Sequence, residues 1–169
     1  DVGPMVGDRI EHGAVLPIQL AARLAAMGVA VVTNPGFVRT RGDEYLTDVD
    51  ADERPDLWRC RSLIETAVPL GAGTDAPFGD ANPWVAIAAA VDRRTIAGSA
   101  LGADESIPAA SALDLFLGPL ERPGGPARLV QVGAPADLCV LSNPLARSLR
   151  DPSTVEPAMA VVGGVVHTW

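Results

Sequence analysis

The chain has 169 residues, 48% hydrophobic and 20% charged, enough for one packed domain or one large piece with a smaller one. Its formal charge of −8 leaves no basic stripe for phosphates, which argues against nucleic acid as a partner. No apolar run approaches the ~20 residues of a membrane helix, and two cysteines, Cys60 and Cys139, are too few for a disulfide scaffold. A cytoplasmic protein with reduced, packed thiols and no membrane partner is expected. The opening "DVGPMVGD" has neither the basic start nor the apolar core of a signal peptide. It does not begin with Met, which suggests a cleaved or partial product.

Residues 5–12 read as a strand, with Asp8, Ile10 and His12 on one face and Arg9 and Glu11 on the other. "LPIQLAARLAAMG" carries Leu16, Leu20, Leu24 and Met27 at helical spacing, and Gly28 suits the helix end. "VAVVTNP" is a β-branched run without alternation, as in a buried parallel strand. Residues 36–56 are expected to be a polar loop holding Asp43, Glu44, Asp48, Asp50, Asp52, Glu53 and Asp56. "DVDADERPDLWR" imitates the start of a calcium loop, but Glu53 replaces the required Gly and Arg59 the closing Glu, so a solvated acidic loop is expected.

"DLWRCRSLIETAV" predicts a helix capped by Asp56, and "PLGAGTD" a strand. "NPWVAIAAAVDRRTIAG" predicts a helix with Asn82 as cap and Pro83 in the first turn. The β-α-β-α-β-α order implies parallel strands with helical crossovers. Beyond it, "SIPAASALDLFLG" predicts a helix capped by Ser106. Three β-like pieces follow, "ARLVQVG", "ADLCVLS" and "AMAVVGGVVHTW", the last a hairpin turning at Gly163-Gly164.

His12 and Asp75 both fall at C-terminal ends of predicted parallel strands, where such folds place functional groups. Imidazole and carboxylate are also ligand types for zinc and similar divalent metals. Each has an ordinary structural reading as well: a strand-end histidine can simply hydrogen-bond, and Asp75 before Pro77 can close a side-chain turn. Gly71 and Gly73 share the face of Asp75 and leave room beside it.

Taken together, "DRIEHG", "LAAMGVAVVTNPGF", "GAGTDAPFGDANPW" and "VGAPADLCVL" resemble the C-terminal half of the metal-dependent amidohydrolases, in the branch called amidohydrolase family 3. The resemblance runs from Arg9 to Val166. It implies an α/β fold: the C-terminal part of a (β/α)8 TIM-like barrel, about three β/α units over residues 1–118, followed by part of a small β-sandwich over 119–169. "RIEH" would end barrel strand six, with His12 a metal ligand. "GTDAP" would end strand eight, with Asp75 binding the metal and taking a proton from water. Asn34 and Phe37, after strand seven, would face the site mouth and meet a small-molecule substrate, and one of Arg59 and Arg61, which flank Cys60 at the start of the next helix, could meet an anionic group of it, Arg61 being the candidate. Trp84 is expected to pack, Asp137 to make a turn or backbone hydrogen bond, and His167 to lie on the surface.

The family's first-strand His-x-His pair, its strand-four ligand and its strand-five histidine have no counterpart here, and a complete barrel takes about 250 residues. The expected activity is therefore that of one portion of a hydrolase. It would cleave a C–N bond of an amide or cyclic amide with a divalent metal, zinc, and be inactive until the N-terminal half is supplied. A non-catalytic fragment or structural subunit packing on a partner chain is the alternative. Either way, an open sheet edge is expected to seek the missing half or a second copy.

Overall fold

The structure is a computed structural model that describes residues 3–5 and 7–168. In chain order it contains β1 (Arg9–Glu11), α1 (Ala21–Met27), β2 (Ala30–Thr33), α2 (Gly36–Asp48), α3 (Arg61–Glu65) and β3 (Leu70–Ala72). Then come α4 (Pro83–Asp92), α5 (Ala109–Asp114), β4 (Leu138–Leu141), α6 (Leu145–Ser148), β5 (Pro157–Val162) and β6 (Val165–His167). The first strand is shorter than the expected span 5–12, within which residue 6 lies outside the described residues.

The first three strands form a parallel sheet in the order β1-β2-β3, as the alternating pattern predicts. The register aligns Ile10 with Val31 and Val31 with Leu70. Paired residues in a parallel ladder point to the same side, so these three face one way. That side is covered: Val31 and Leu70 pack with Leu16, Ala21, Leu63 and Val68. Burying each large aliphatic side chain contributes about 1.5–3 kcal/mol, so this layer fixes which side of the sheet faces the helices. Glu11, Val32 and Gly71 line the opposite side, where Arg9 and Glu11 form an ion pair. The open end of the sheet at β1 is thus charged rather than apolar.

Other boundaries also differ from expectation. Residues 36–48 are not a loop but α2. Its charged residues face out, while Val38 and Gly42 are buried and Phe37, Tyr45 and Leu46 pack around Trp58. Gly42 hides the periodicity, yet the position needs it: a Cβ there would stand 2.5 Å from Thr95 Cγ2. The next helix starts at Arg61 rather than at Asp56, because Leu57 bridges Val15 in the loop after β1 and Trp58 takes a left-handed φ of 49°, which keeps residues 57–60 out of the helix. Asp56 does not cap it; its carboxylate binds the Arg59 guanidinium at 2.5 Å.

Ser106 likewise caps nothing, since α5 starts after Pro108 and the Ser106 hydroxyl donates to the Val91 carbonyl at 2.5 Å. "ARLVQVG" joins no strand, and Leu129, Val130 and Val132 stay exposed. Asn82 does cap α4, its Oδ1 accepting from the Trp84 N–H at 3.0 Å. Trp84 packs in a core with Cys60, Ile87, Ala90, Ile107 and Ala112. The hairpin turns at Gly163-Gly164 as expected, and the Gly163 N–H donates to Asp137 Oδ1 at 2.7 Å. Cys60 is buried, with burial pushing its thiol up to about 12, so it is an inert packing residue. Cys139, expected to be packed, is exposed on β4.

Candidate functional site

Parallel pairing continues one residue past the strands: the His12 N–H donates to the Val32 carbonyl at 2.9 Å, and the Gly73 N–H to the Thr33 carbonyl at 3.0 Å. At that rim the backbone leaves the strand geometry. His12 has φ 70° and Asp75 φ 57°, both in the left-handed region that non-glycine residues seldom occupy. Left-handed backbone at His12 ends the alternation, so counting by twos no longer sets the side of its ring. Such outliers cluster at functional sites because the surrounding structure must hold them.

The His12 ring is tied to the neighbouring strand ends. Its Nδ1 lies 2.9 Å from Asn34 Oδ1, and Asn34 Nδ2 donates to the Gly73 carbonyl at 2.9 Å. Asn34 is 5% exposed and engaged at both ends of its amide. One hydrogen-bonded line therefore crosses the ends of β1, β2 and β3, two residues short of Asp75. Asp75 itself is half-buried, and its backbone carbonyl accepts from the Phe78 and Gly79 N–H groups, closing a turn. Phe37 is half-buried with its ring 5.2 Å from that of Trp58. Arg61 is exposed on α3, with Nε donating to the Ser106 carbonyl at 2.8 Å.

The loop that follows His12 is clamped from the other side. Val15 and Leu57 form an antiparallel bridge, the Trp58 N–H donates to the Ala14 carbonyl, and the Leu16 N–H to the Asp56 carbonyl. Arg59 Nε donates to the Leu16 carbonyl at 2.8 Å. Glu105 holds the clamp: its Oε1 accepts from Arg59 and from the Ser62 hydroxyl, both at 2.6 Å, and its Oε2 from the N–H groups of Cys60 and Ser62. Burial alone would raise the Glu105 carboxyl. The Ser62 hydroxyl, the two N–H groups and the Arg59 charge outweigh burial and hold it below its ordinary value. Arg93, fully buried, donates to the carbonyls of Leu57, Trp58, Leu101 and Gly102. Sequence reasoning missed this network, because its members are scattered and only their burial marks them.

Donor chemistry fits a divalent metal in part. His12 and Asp75 are suitable ligand types, but a catalytic zinc takes three protein ligands and a water. Among the described residues no group of three or more His, Cys, Asp or Glu is placed to hold a metal ion. A cavity of about 860 Å³ lies elsewhere, between α4, α5 and residues 127–141, and neither His12 nor Asp75 lines it. No described helix is long and apolar enough to cross a membrane.

A parallel β/α sheet with His12 and Asp75 at one rim, joined to a small antiparallel sheet, defines a mixed α/β protein. Comparison with known proteins is more specific: the model of the amidohydrolase family matches residues 2–169, and the chain belongs to that family. It is 28% identical over 139 residues to the N-substituted formamide deformylase of Arthrobacter pascens, covering 80% of this chain and 26% of that one. Two solved structures are similar, both of uncharacterized metal-dependent hydrolases. The one from Pyrococcus horikoshii OT3 has TM-score 0.57 at 25% identity, covering 65% of this chain and 23% of that chain. The one from Pyrococcus furiosus has TM-score 0.55 at 25% identity, covering 65% and 22%. The chain thus spans about a quarter of the length of these relatives.

Proposed function

We propose that this chain supplies the C-terminal part of the barrel of a metal-dependent amidohydrolase, together with part of the adjoining β-sandwich, and that it works only with an N-terminal segment carrying the remaining ligands. The observation that carries the reading is the rim itself: family membership together with His12 and Asp75 at the ends of β1 and β3, in left-handed backbone. When bound, a zinc ion would polarise the scissile carbonyl and bring the pKa of its water down to roughly 7. His12 and Asp75 would hold that ion, and the Asp75 carboxylate would accept the proton of the attacking water and return one to the leaving nitrogen. The amide C–N bond breaks as the C–O bond forms, giving a carboxylic acid and an amine. The name of the Arthrobacter pascens relative supports a C–N bond as the one cleaved. Phe37, which follows β2, and Arg61, at the start of α3, would contact the substrate.

The exposed edge of β1 supports a missing strand there, or a second copy in its place. Zinc analysis and turnover of simple N-substituted formamides and cyclic amides test the reading. The isolated chain is expected to hold no stoichiometric zinc and to turn over nothing, and the chain joined to an N-terminal segment to gain both. Turnover by the isolated chain, or none by the joined form, would refute it.

A further inference from the structure

Asn34 is buried, yet both ends of its amide are spent on the rim, and the two bonds together determine how the His12 ring is presented. The Gly73 carbonyl can only accept, so the amide nitrogen of Asn34 must face it, at 2.9 Å. That leaves Oδ1 toward His12 Nδ1, also at 2.9 Å. An amide oxygen only accepts, so His12 Nδ1 carries the proton. In the neutral imidazole the other nitrogen, Nε2, is then left with its lone pair. Swapping the Asn34 oxygen and nitrogen would set two carbonyl oxygens against each other.

We infer that Asn34 is a positioning residue: it locks the His12 ring in the Nδ1–H form and offers Nε2 as the donor atom toward the metal. The role toward metal rests on the function proposed above; the ring's protonation does not. The arrangement also couples the two candidate ligands. Gly73 lies two residues before Asp75, so one side chain references the His12 ring to the strand end that carries the carboxylate. Partners of this kind fix the tautomer and orientation of a ligating histidine, and their loss typically weakens metal binding about 10–100-fold.

The chain has only two histidines, so ¹⁵N NMR of the imidazoles reads His12 beside His167 with little ambiguity. At alkaline pH and without metal, His12 is expected to show a protonated Nδ1 and an unprotonated Nε2. Asn34→Leu removes both hydrogen bonds and is expected to release His12 to the tautomer mixture of a free imidazole. Asn34→Asp keeps an acceptor for Nδ1–H but sets an oxygen against the Gly73 carbonyl, so it is expected to favour the Nδ1–H form more than Asn34→Leu does, without the bond to Gly73. A protonated Nε2 in the unsubstituted chain would overturn the assignment even if the leucine variant fails to fold, and so would a folded Asn34→Leu that keeps the locked form. Zinc is then added alone, to the chain joined to an N-terminal segment. His12 Nε2 is expected to shift, with affinity about tenfold or more weaker in Asn34→Leu. A locked tautomer whose Nε2 ignores zinc would sink the metal reading and leave the ring assignment standing.

Discussion

Asp75→Asn in the joined enzyme is expected to lower kcat/KM by about a thousandfold or more, the loss anticipated for a group that moves the reaction's proton. The unfolding midpoint should hardly change. Asn tolerates left-handed backbone almost as well as Asp does, so the φ of 57° is no obstacle. The turn after residue 75 is closed by the backbone carbonyl, which the substitution leaves in place. His12→Asn is the matching test at the other strand end. It removes the imidazole while keeping a residue that accepts φ 70°, which Ala would not do as readily. A comparable loss of turnover, with loss of zinc, is expected. Steady-state kinetics and thermal denaturation of the two variants separate chemistry from folding. Full turnover by either would remove that residue from the mechanism.

Glu105→Gln is expected to destabilise the chain by about 3 kcal/mol or more, because it breaks a buried ion pair and leaves Arg59 with less compensation. The Glu105 side chain is 7% exposed and that of Arg59 10%, so water repairs little. The acid-side dependence has a definite sign. The folded-state carboxyl lies below its ordinary 4.5. Its contribution is therefore fully present above that value and is lost as pH falls through the lower, folded-state value. The urea midpoint of the unsubstituted chain should drop in that acidic window, and that of Glu105→Gln should start lower and drop less. Parallel curves for the two proteins would contradict the role given to Glu105. Because the network clamps residues 14–16, the variant should also disturb the loop that follows His12.

Much of the fold was legible because period and punctuation agreed. β-Branched residues at 29–33 marked a buried strand, Asn82-Pro83 marked a helix start, and Gly163-Gly164 marked a hairpin. α2 was missed because its surface is densely charged and Gly42 interrupts its buried stripe, a gap required by the close approach of Thr95. The α3 boundary is not legible because Leu57 and Trp58 look like one side of a helix; they are buried instead in a bridge and a left-handed turn whose carbonyls Arg93 holds. At the rim, strand-end position singled out His12 and Asp75. The bonds that orient His12 could not be read the same way. They depend on an asparagine 22 residues away and a glycine carbonyl a further 39 along, contacts that only the folded sheet brings together.

In the proposed function His12 and Asp75 meet at one divalent cation. The direct measurement is anomalous diffraction at the zinc edge from crystals of the zinc-loaded, joined enzyme. A peak about 2.0–2.2 Å from both His12 Nε2 and an Asp75 carboxylate oxygen is the predicted result. A peak bound through His12 Nδ1, or one out of reach of either side chain, would contradict it.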